Sequence, residues 1–521
     1  MKHILLIVFF LSNTLLWSQF DLLNQWGYGG NQNDYPVKIT NEEILVLSNS
    51  GISGNKNVPN YGSMDAWIIT LDNDNGLIDE FVFGGSGSDY PVDIVDFFNR
   101  KYLLMMSSSS TSGNKTMDDY GTGMDRGDFW LLKLDNNYQI IDQWNYGTNL
   151  FDGAGGFFPF QNNLVLYGSS QGPVNNDKSE NGRGGTDAWI ICVDTNGNKL
   201  WDKTLGGSGA ERFVDAKVVS DGFIFIGVSN SNVGFEKSEN AFGVIHDIWV
   251  VKTDFNGNKI WDKTIGNYGE EEFISAFVEN NTLILTFNSF DANNGNLNIT
   301  NYGSLDACIA KVDILTGNLM HVSNYGGSNI DSFGEILPLN DNKIFFVGST
   351  NSNDGDIVNT LYGSSDIWVG IIDSNSNIID QALFGSNSID VTDYALYKNN
   401  SLLILANSNG GASGIKTSPN YGEVDVWLLE LGNILSQHEE DFSIGFNVFP
   451  NPTSDFLYID LNQMDANEIR VLDMNGKLTY SKSGKISGLI DVDLSKEKPG
   501  IYVVKVGLEN GVWVSKKITK R

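Results

Sequence analysis

The sequence predicts an all-β fold for most of the chain, built from one unit that occurs seven times. Gly is abundant, at 57 of 521 residues, and Pro is scarce, at 10, which is typical of short strands joined by turns. An Asp stands two residues ahead of a Trp, or in one case a Cys, at intervals of 59 to 63 residues. These marker acids are Asp65, Asp128, Asp187, Asp247, Asp306, Asp366 and Asp425. A period this regular indicates a single supersecondary unit that buries its apolar face against its neighbours.

Each unit contains four strands. In the third repeat, apolar runs at 164–168 and 188–193 are separated by a polar loop, and the turn 194–198 leads into a third run at 199–205. The glycine turn 206–209 then precedes a fourth run at 212–219. Four strands with tight turns form an up-and-down sheet, and seven such sheets predict a seven-bladed β-propeller.

The two ends of the repeat region complement each other. The segment 21–26 resembles the outermost strand of a unit, whereas the seventh unit ends near Leu431 with no comparable strand after it. We therefore expect the N-terminal strand to complete the last blade, which leaves no free sheet edge.

A second acidic position also recurs in every unit, five residues after the first Gly of each glycine turn. These turn acids are Asp34, Asp89, Asp152, Glu211, Glu271, Asp331 and Asp390. The predicted fold would place them around one mouth of a central channel. They are expected either to accept hydrogen bonds from backbone N–H groups or to form a site for a cation such as calcium or for a basic ligand.

Function is better sought where the repeats differ. Lys38, Asp93, Asp215 and Glu335 occupy equivalent positions on the predicted inner strands, yet their chemistry is not the same. The marker acids, by contrast, are expected to tie down loops, and the Trp residues beside them to pack between blades.

Charge and composition exclude several classes of function. The formal net charge of −31 disfavours binding to nucleic acid and to anionic membrane surfaces. Cys192 and Cys308 fall in different repeats and the four His residues are scattered, so zinc sites and thiol catalysis are disfavoured. We assign no catalytic residue and expect no cofactor, with calcium left open.

The N-terminus has the pattern of a secretory signal peptide. Lys2 precedes an apolar stretch at 4–16, and Ser18 is a small residue suited to cleavage, which predicts a signal peptide over 1–18. The stretch is too short for a stable membrane anchor, and no other segment is a transmembrane candidate.

The C-terminal region departs from the repeat. The propeller is predicted over 19–431 and a polar linker over 432–445, and alternating strands over 446–521 predict a small β-sandwich. This last segment contains VFPNPTSDFLYI, IRVLDMNGKL, PGIYVVKV and a basic end, in that order. Its motif residues are Pro450, Asn451, Pro452, Gly476, Gly500, Lys516 and Lys517.

These motifs closely resemble the type A C-terminal sorting domain of the type IX secretion system. The resemblance implies transport by the type IX machinery of a Gram-negative bacterium and removal of the domain by a sortase-like protease. The cargo is then either secreted or attached to the outer-membrane surface. The GGSG, YG and DAWI signatures are similar to repeat arrays in secreted cargo of this system.

The leading functional hypothesis is a cell-surface or secreted binding module for a glycan or protein ligand, with adhesion as one such role. The alternative is an extracellular hydrolase or lyase that acts on polysaccharide through carboxylates. A structural surface-layer component would require the fold alone.

Overall fold

The computed structural model describes residues 20–107, 111–121, 127–290, 295–300, 302–339, 342–398, 401–432, 446–461, 466–474, 476–508 and 513–521. The predicted signal peptide, with its cleavage site after Ser18, lies outside these residues, as does the predicted linker except for Gly432. Within the described ranges no helix is long and apolar enough to cross a membrane.

Seven four-stranded antiparallel sheets form the repeat region, and six of them use four consecutive strands each. Sheet 1 contains β2 Asp34–Ile39, β3 Glu43–Ser48, β4 Asp65–Leu71 and β5 Leu77–Phe83. Sheet 2 contains β6 Asp89–Phe97, β7 Arg100–Ser107, β8 Asp128–Leu134 and β9 Ile140–Tyr146. Sheet 3 contains β10 Asp152–Phe160, β11 Asn163–Ser170, β12 Asp187–Asp194 and β13 Lys199–Leu205.

The next three sheets follow the same order along the chain. Sheet 4 contains β14 Glu211–Val219, β15 Gly222–Ser229, β16 Asp247–Thr253 and β17 Lys259–Ile265. Sheet 5 contains β18 Glu271–Glu279, β19 Thr282–Ser289, β20 Asp306–Asp313 and β21 Leu319–Tyr325. Sheet 6 contains β22 Asp331–Pro338, β23 Ile344–Thr350, β24 Asp366–Ile372 and β25 Ile378–Phe384. The prediction of an all-β fold with repeated four-stranded units is confirmed.

Sheet 7 combines strands from both ends of the repeat region. It contains β26 Asp390–Lys398, β27 Ser401–Ser408, β28 Asp425–Gly432 and β1 Asp21–Tyr28, and β1 pairs with β28 so that Asp21 lies opposite Gly432. In sheet 1 the indole of Trp67 donates to Glu80 on the fourth strand, at 3.0 Å. In sheet 7 the indole of Trp427 donates to Gln25 of β1, at 3.1 Å. The strand β1 therefore takes the place of a fourth strand in sheet 7.

The sheets pack face to face through apolar layers. The first strand of each sheet contacts the first strand of the next, and β26 also contacts β2. Apolar clusters join neighbouring sheets, as where Leu45 and Ile68 of sheet 1 meet Leu103 and Trp130 of sheet 2. The second and third strands are covered on both faces, which explains their nearly continuous apolar runs. Both cysteines are buried and free.

The C-terminal region forms two further sheets around one shared core. A three-stranded sheet has the order β29 Asn447–Phe449, β30 Phe456–Asp460 and β33 Leu489–Asp493. A four-stranded sheet has the order β32 Leu478–Ile486, β31 Ala466–Asp473, β34 Gly500–Leu508 and β35 Trp513–Lys520. Leu457 and Ile490 of the first sheet pack with Val471, Val504 and Ile518 of the second, which makes this region a sandwich.

The motif residues of this region lie at turns and on the last strand. Pro450, Asn451 and Pro452 follow β29, and the Asn451 side chain joins them to β35. It donates to the carbonyl of Lys517 at 3.1 Å and accepts from the backbone N–H of Thr519 at 2.8 Å. Gly476 adopts a φ of 78° in the turn before β32, Gly500 begins β34, and Lys516 lies on β35.

Candidate functional site

The turn acids are buried at the junctions between sheets. Asp89, at the start of β6, accepts hydrogen bonds from the backbone N–H of Gly85 at 2.6 Å and from the hydroxyl of Ser107 at 2.7 Å. The other six accept in the same way from the backbone N–H four residues earlier, at 2.6–3.2 Å. All seven turn acids are at most 1% exposed, so they do not open into a channel mouth.

Each marker acid holds the end of a loop. The carboxylate of Asp65 accepts hydrogen bonds from the backbone N–H groups of Tyr61 at 2.6 Å and Gly62 at 3.0 Å. The other six accept from the corresponding loop. The marker acids are also buried, and they begin the third strand of each sheet.

The repeated Gly belongs to the same packing unit. A Cβ on Gly84 would collide with Oδ1 of Asp65, so only a residue without a side chain fits this approach. The same clash with a marker acid occurs at Gly29, Gly147, Gly206, Gly266 and Gly385. The glycine turn and the marker acid therefore depend on each other.

Marker and turn acids also form carboxyl pairs across the junctions, because each marker acid lies near the turn acid of the following sheet. Burial is the main cause that raises the pKa values of the seven marker acids, and in six of them the charge of the neighbouring turn acid raises the pKa further. The pKa is raised to about 6 for Asp65 and Asp425, to about 7 for Asp128 and to about 8 for Glu271. Within the described part of the chain, no group of three or more His, Cys, Asp or Glu side chains is placed to hold a metal ion.

A second layer of residues, four positions after the turn acids, has a different character. We call it the inner layer, and it consists of Lys38, Asp93, Gly156, Asp215, Ser275, Glu335 and Tyr394. Its side chains contact one another from different sheets. Lys38 forms an ion pair with Asp93, and the Ser275 hydroxyl donates to Glu335 at 2.9 Å. Asp215 forms an ion pair at 3.0 Å with Lys217 of the same strand.

The glycine of the inner layer makes room for a phenol from the next strand. A Cβ on Gly156 would collide with the hydroxyl of Tyr167, so this β11 side chain occupies the vacant position. Burial raises the pKa of Tyr167, and Asp215 and Asp93 raise it further. The phenol therefore stays protonated and remains a hydrogen-bond donor.

Glu335 is an acid of this layer with a pKa near neutral. Burial raises the pKa of Glu335 to about 7, although Lys217 and the Ser275 hydroxyl favour its charged form. Burial also raises the pKa of Asp93, despite its partner Lys38. A carboxyl with a pKa near 7 can bind a cation when ionised and donate a proton when neutral.

A cavity of about 390 Å³ opens beside Glu335, between the first strands of sheets 5, 6 and 7. Its lining includes the polar residues Glu272, Asn288, Ser332 and Glu335. The lining also includes apolar surface, to which Phe273 and the ring of Tyr394 contribute. This cavity and the inner layer form the candidate site.

Four of these residues, Lys38, Asp93, Asp215 and Glu335, were indicated by the sequence, and the structure brings them together. Ser275 and Tyr394 were missed, although both share the same offset from a turn acid. Tyr167 lies on a different strand, so no spacing signal marks it.

A repeated lysine was also missed. In sheets 1, 2, 4 and 7 its ammonium group lies over the marker Trp, as where Lys56 Nζ is 5.4 Å from the ring centroid of Trp67. The buried members are Lys56, Lys115, Lys178, Lys237 and Lys416. Leu297 and Ile357 take this position in sheets 5 and 6, so the site accepts an apolar side chain.

Comparison with known proteins matches one region by sequence. Residues 447–521 match the family model of the secretion system C-terminal sorting domain. No curated protein matches the chain.

Solved structures resemble the fold only distantly. A europium-containing methanol dehydrogenase is 8% identical, covers 80% of this chain and 93% of its own, and has a TM-score of 0.37. A quinohemoprotein alcohol dehydrogenase from Comamonas testosteroni is 9% identical, covers 84% of this chain and 79% of its own, and has a TM-score of 0.38. A fungal alcohol oxidase in complex with copper is 11% identical, covers 96% of this chain and 99% of its own, and has a TM-score of 0.39.

The sorting-domain match and the repeated four-stranded sheets together indicate what class of protein this chain is and where it is located. The chain is a secreted, propeller-like repeat protein with a type IX sorting domain, and it is released by a Gram-negative bacterium or attached to its outer-membrane surface.

Proposed function

We propose that the seven sheets are the blades of a closed propeller over residues 19–431, with β1 completing the last blade. The junction of sheets 7 and 1 repeats the contacts of the other junctions, which supports closure. Asn33 bridges Val424 there, just as Met64 bridges Ser88 between sheets 1 and 2. The carboxyl of Asp425 lies near that of Asp34, as Asp65 lies near Asp89.

The proposed organisation also includes a signal peptide over 1–18, a linker over 432–445 and a sorting domain over 446–521. The sorting domain implies interaction with the secretion machinery. Its removal by a sortase-like protease is part of the proposal.

We propose that the exported protein is a binding module for an extracellular glycan or protein ligand, with its site at the cavity beside Glu335. The observation that carries this proposal is the position of the cavity, which lies beside inner-layer positions where the equivalent residues of the repeats differ. A repeated residue serves the scaffold of every blade, whereas a ligand site needs a unique set of groups. The volume falls within the range of about 300–1,000 Å³ found for small-molecule sites.

A carboxylate-dependent polysaccharide hydrolase or lyase is the second candidate. The observation that favours it is Glu335, whose pKa of about 7 suits a general acid, with Asp93 and Asp215 in the same layer. Both aspartates are engaged in ion pairs with lysines, which makes them less available as bases or nucleophiles. This engagement is why we rank binding first.

A glycan array, with product release measured on the same ligands, tests both functions. Binding without turnover is the expected result for the module, and turnover would replace it with the enzyme. Loss of ligand binding, or of turnover, in the Glu335→Gln variant would support the cavity as the site. Absence of binding and turnover on glycans and on candidate surface proteins would contradict both functions and favour a structural role.

A further inference from the structure

We infer that the cavity beside Glu335 recognises an amino sugar through its ammonium group. This inference rests on the proposed ligand-binding function and specifies its ligand class.

The charge around the cavity favours a cation. Two of its nine lining residues, Glu272 and Glu335, are acids, and none is basic. Two lysines near the cavity already have carboxylate partners, since Lys38 pairs with Asp93 and Lys217 with Asp215. An anionic ligand would be repelled by Glu272 and by the ionised form of Glu335, whereas an ammonium group would be attracted to both and would favour ionisation of Glu335.

Glu335 has an incomplete set of partners for a half-buried carboxylate. The Ser275 hydroxyl donates to it at 2.9 Å, and within the described residues it forms no ion pair within 4.0 Å. A carboxylate has about four lone-pair sites, so most of its acceptor capacity remains for a ligand. Its raised pKa is consistent with this, because burial without full compensation disfavours the charged form.

The lining of the cavity combines the two kinds of surface that a sugar ring can contact. Phe273 and Tyr394 offer apolar surface, and Glu272, Ser332 and Asn288 offer hydrogen-bonding groups. A pyranose has an apolar C–H face and a polar hydroxyl edge, and an ammonium group near an aromatic ring gains further attraction. A simple alkylamine has the ammonium group but no hydroxyl groups for the polar residues.

Calorimetric titration of the full secreted chain with four probes tests the inference. The probes are glucosamine, glucose, N-acetylglucosamine and lysine amide. We expect glucosamine to bind at least about tenfold more tightly than the two sugars without an ammonium group, as for a hydrogen bond between charged groups. Glu335→Gln keeps the shape of the side chain and should abolish this preference, and Glu272→Gln should reduce it by a smaller factor.

Glu270→Gln is the matched control. This acid is exposed and lies two residues from Glu272, but it does not line the cavity. It should leave the preference unchanged, and an equal loss in this variant would mean that net charge alone is responsible and overturn the inference. Unchanged melting temperatures in all three variants exclude unfolding as the cause.

The remaining outcomes separate the inference from the proposed function. Equal binding of glucose and glucosamine, or a preference that survives Glu335→Gln, would overturn the amino-sugar assignment and leave a binding module. If the protein binds lysine amide but does not bind glucosamine, the amino-sugar assignment is overturned as well. Failure of every sugar here and on the array would remove the inference together with the proposed function.

Discussion

The turn acids and the inner layer lie four residues apart on the same seven strands, yet they differ in almost every respect. At the turn acids all seven side chains are carboxylates with the same backbone partner. In the inner layer the seven positions hold six residue types, and their contacts join different sheets. The difference indicates that residues repeated in every sheet stabilise the scaffold, whereas ligand recognition is expected at positions where the sheets differ.

The largest expected effect concerns the carboxyl pairs, because they act together. The folded pKa values of Asp65, Asp128 and Glu271 are about 6, 7 and 8 and lie above the value near 4 of an unfolded carboxyl, so the folded state binds more protons between these limits. The contribution of these acids to stability should therefore be largest below about pH 4 and fall by at least about 3 kcal/mol from there to pH 8. Urea denaturation followed by Trp fluorescence at several pH values measures this.

Net charge contributes to the same trend, so a variant must isolate the pairs. Asp65→Asn removes one titrating acid of a carboxyl pair. The decline of the free energy of unfolding between about pH 4 and 6 should therefore become shallower in this variant. High salt should leave this difference in place because the pair is buried. A stability that is constant or rises with pH would contradict the assignment of raised pKa values.

Replacement of the repeated glycine should give the next largest effect. Gly84→Ala places a methyl group against the Asp65 carboxylate and should destabilise the protein by about 3 kcal/mol, near the upper end for overpacking. Gly51→Ala is the matched control, since a Cβ there meets no atom within 4 Å. Equal melting temperatures for the two variants would contradict the proposed dependence of Gly84 on Asp65.

A comparison of one turn acid with one acid of the inner layer directly tests whether the first stabilises the scaffold and the second does not. Asp89→Ala leaves the Gly85 N–H and the Ser107 hydroxyl without this acceptor and should cost about 2 kcal/mol. Glu335→Gln should change stability by less than about 0.5 kcal/mol, because its partner Ser275 can still donate. Thermal denaturation with and without calcium measures both. Stabilisation of the wild type by calcium that disappears in Asp89→Ala, with intrinsic stability unchanged, would instead identify the turn acids as an ion site.

Among the repeated residues, the smallest expected effect belongs to the buried lysines. Lys56→Met removes hydrogen bonds to the Ser50 carbonyl and to Asn60 and should cost about 1 kcal/mol at pH 7. Because burial lowers the pKa of Lys56 to about 8, its contribution to stability should rise from pH 8 to about 10, and this rise should be lost in the variant. The exposed Lys496→Met is the control, and an identical pH profile for both variants would contradict the role of burial.

The repeat could be predicted from the sequence because its signals are local. The spacing of Asp65 and its counterparts sets the period, and the run from Asp21 to Trp26 indicated the last strand of sheet 7. Lys38 and Glu335 could be selected because they share an offset from the turn acids and differ in chemistry.

The remaining features depend on geometry between strands. The phenol of Tyr167 reaches the inner layer from the second strand of its sheet because Gly156 leaves a gap, and no spacing encodes this substitution. The cavity requires the relative positions of three strands, β18, β22 and β26, whose residues are some 60 positions apart in sequence. The burial of the turn acids could not be predicted from the sequence either, because a carboxylate in a glycine turn can be buried or exposed with the same spacing.

The pairing of β1 with β28 joins residues 21 and 432 and has a consequence for the order of folding. A contact across so long a stretch of chain forms late, because the entropy of closing the loop must be overcome before the contact is made. Until then β28 presents an unpaired edge, which is prone to association with other chains. Sheet 7 therefore finishes only after both ends of the repeat region have emerged, and the interval before that event is the period in which the newly exported protein is most exposed to aggregation.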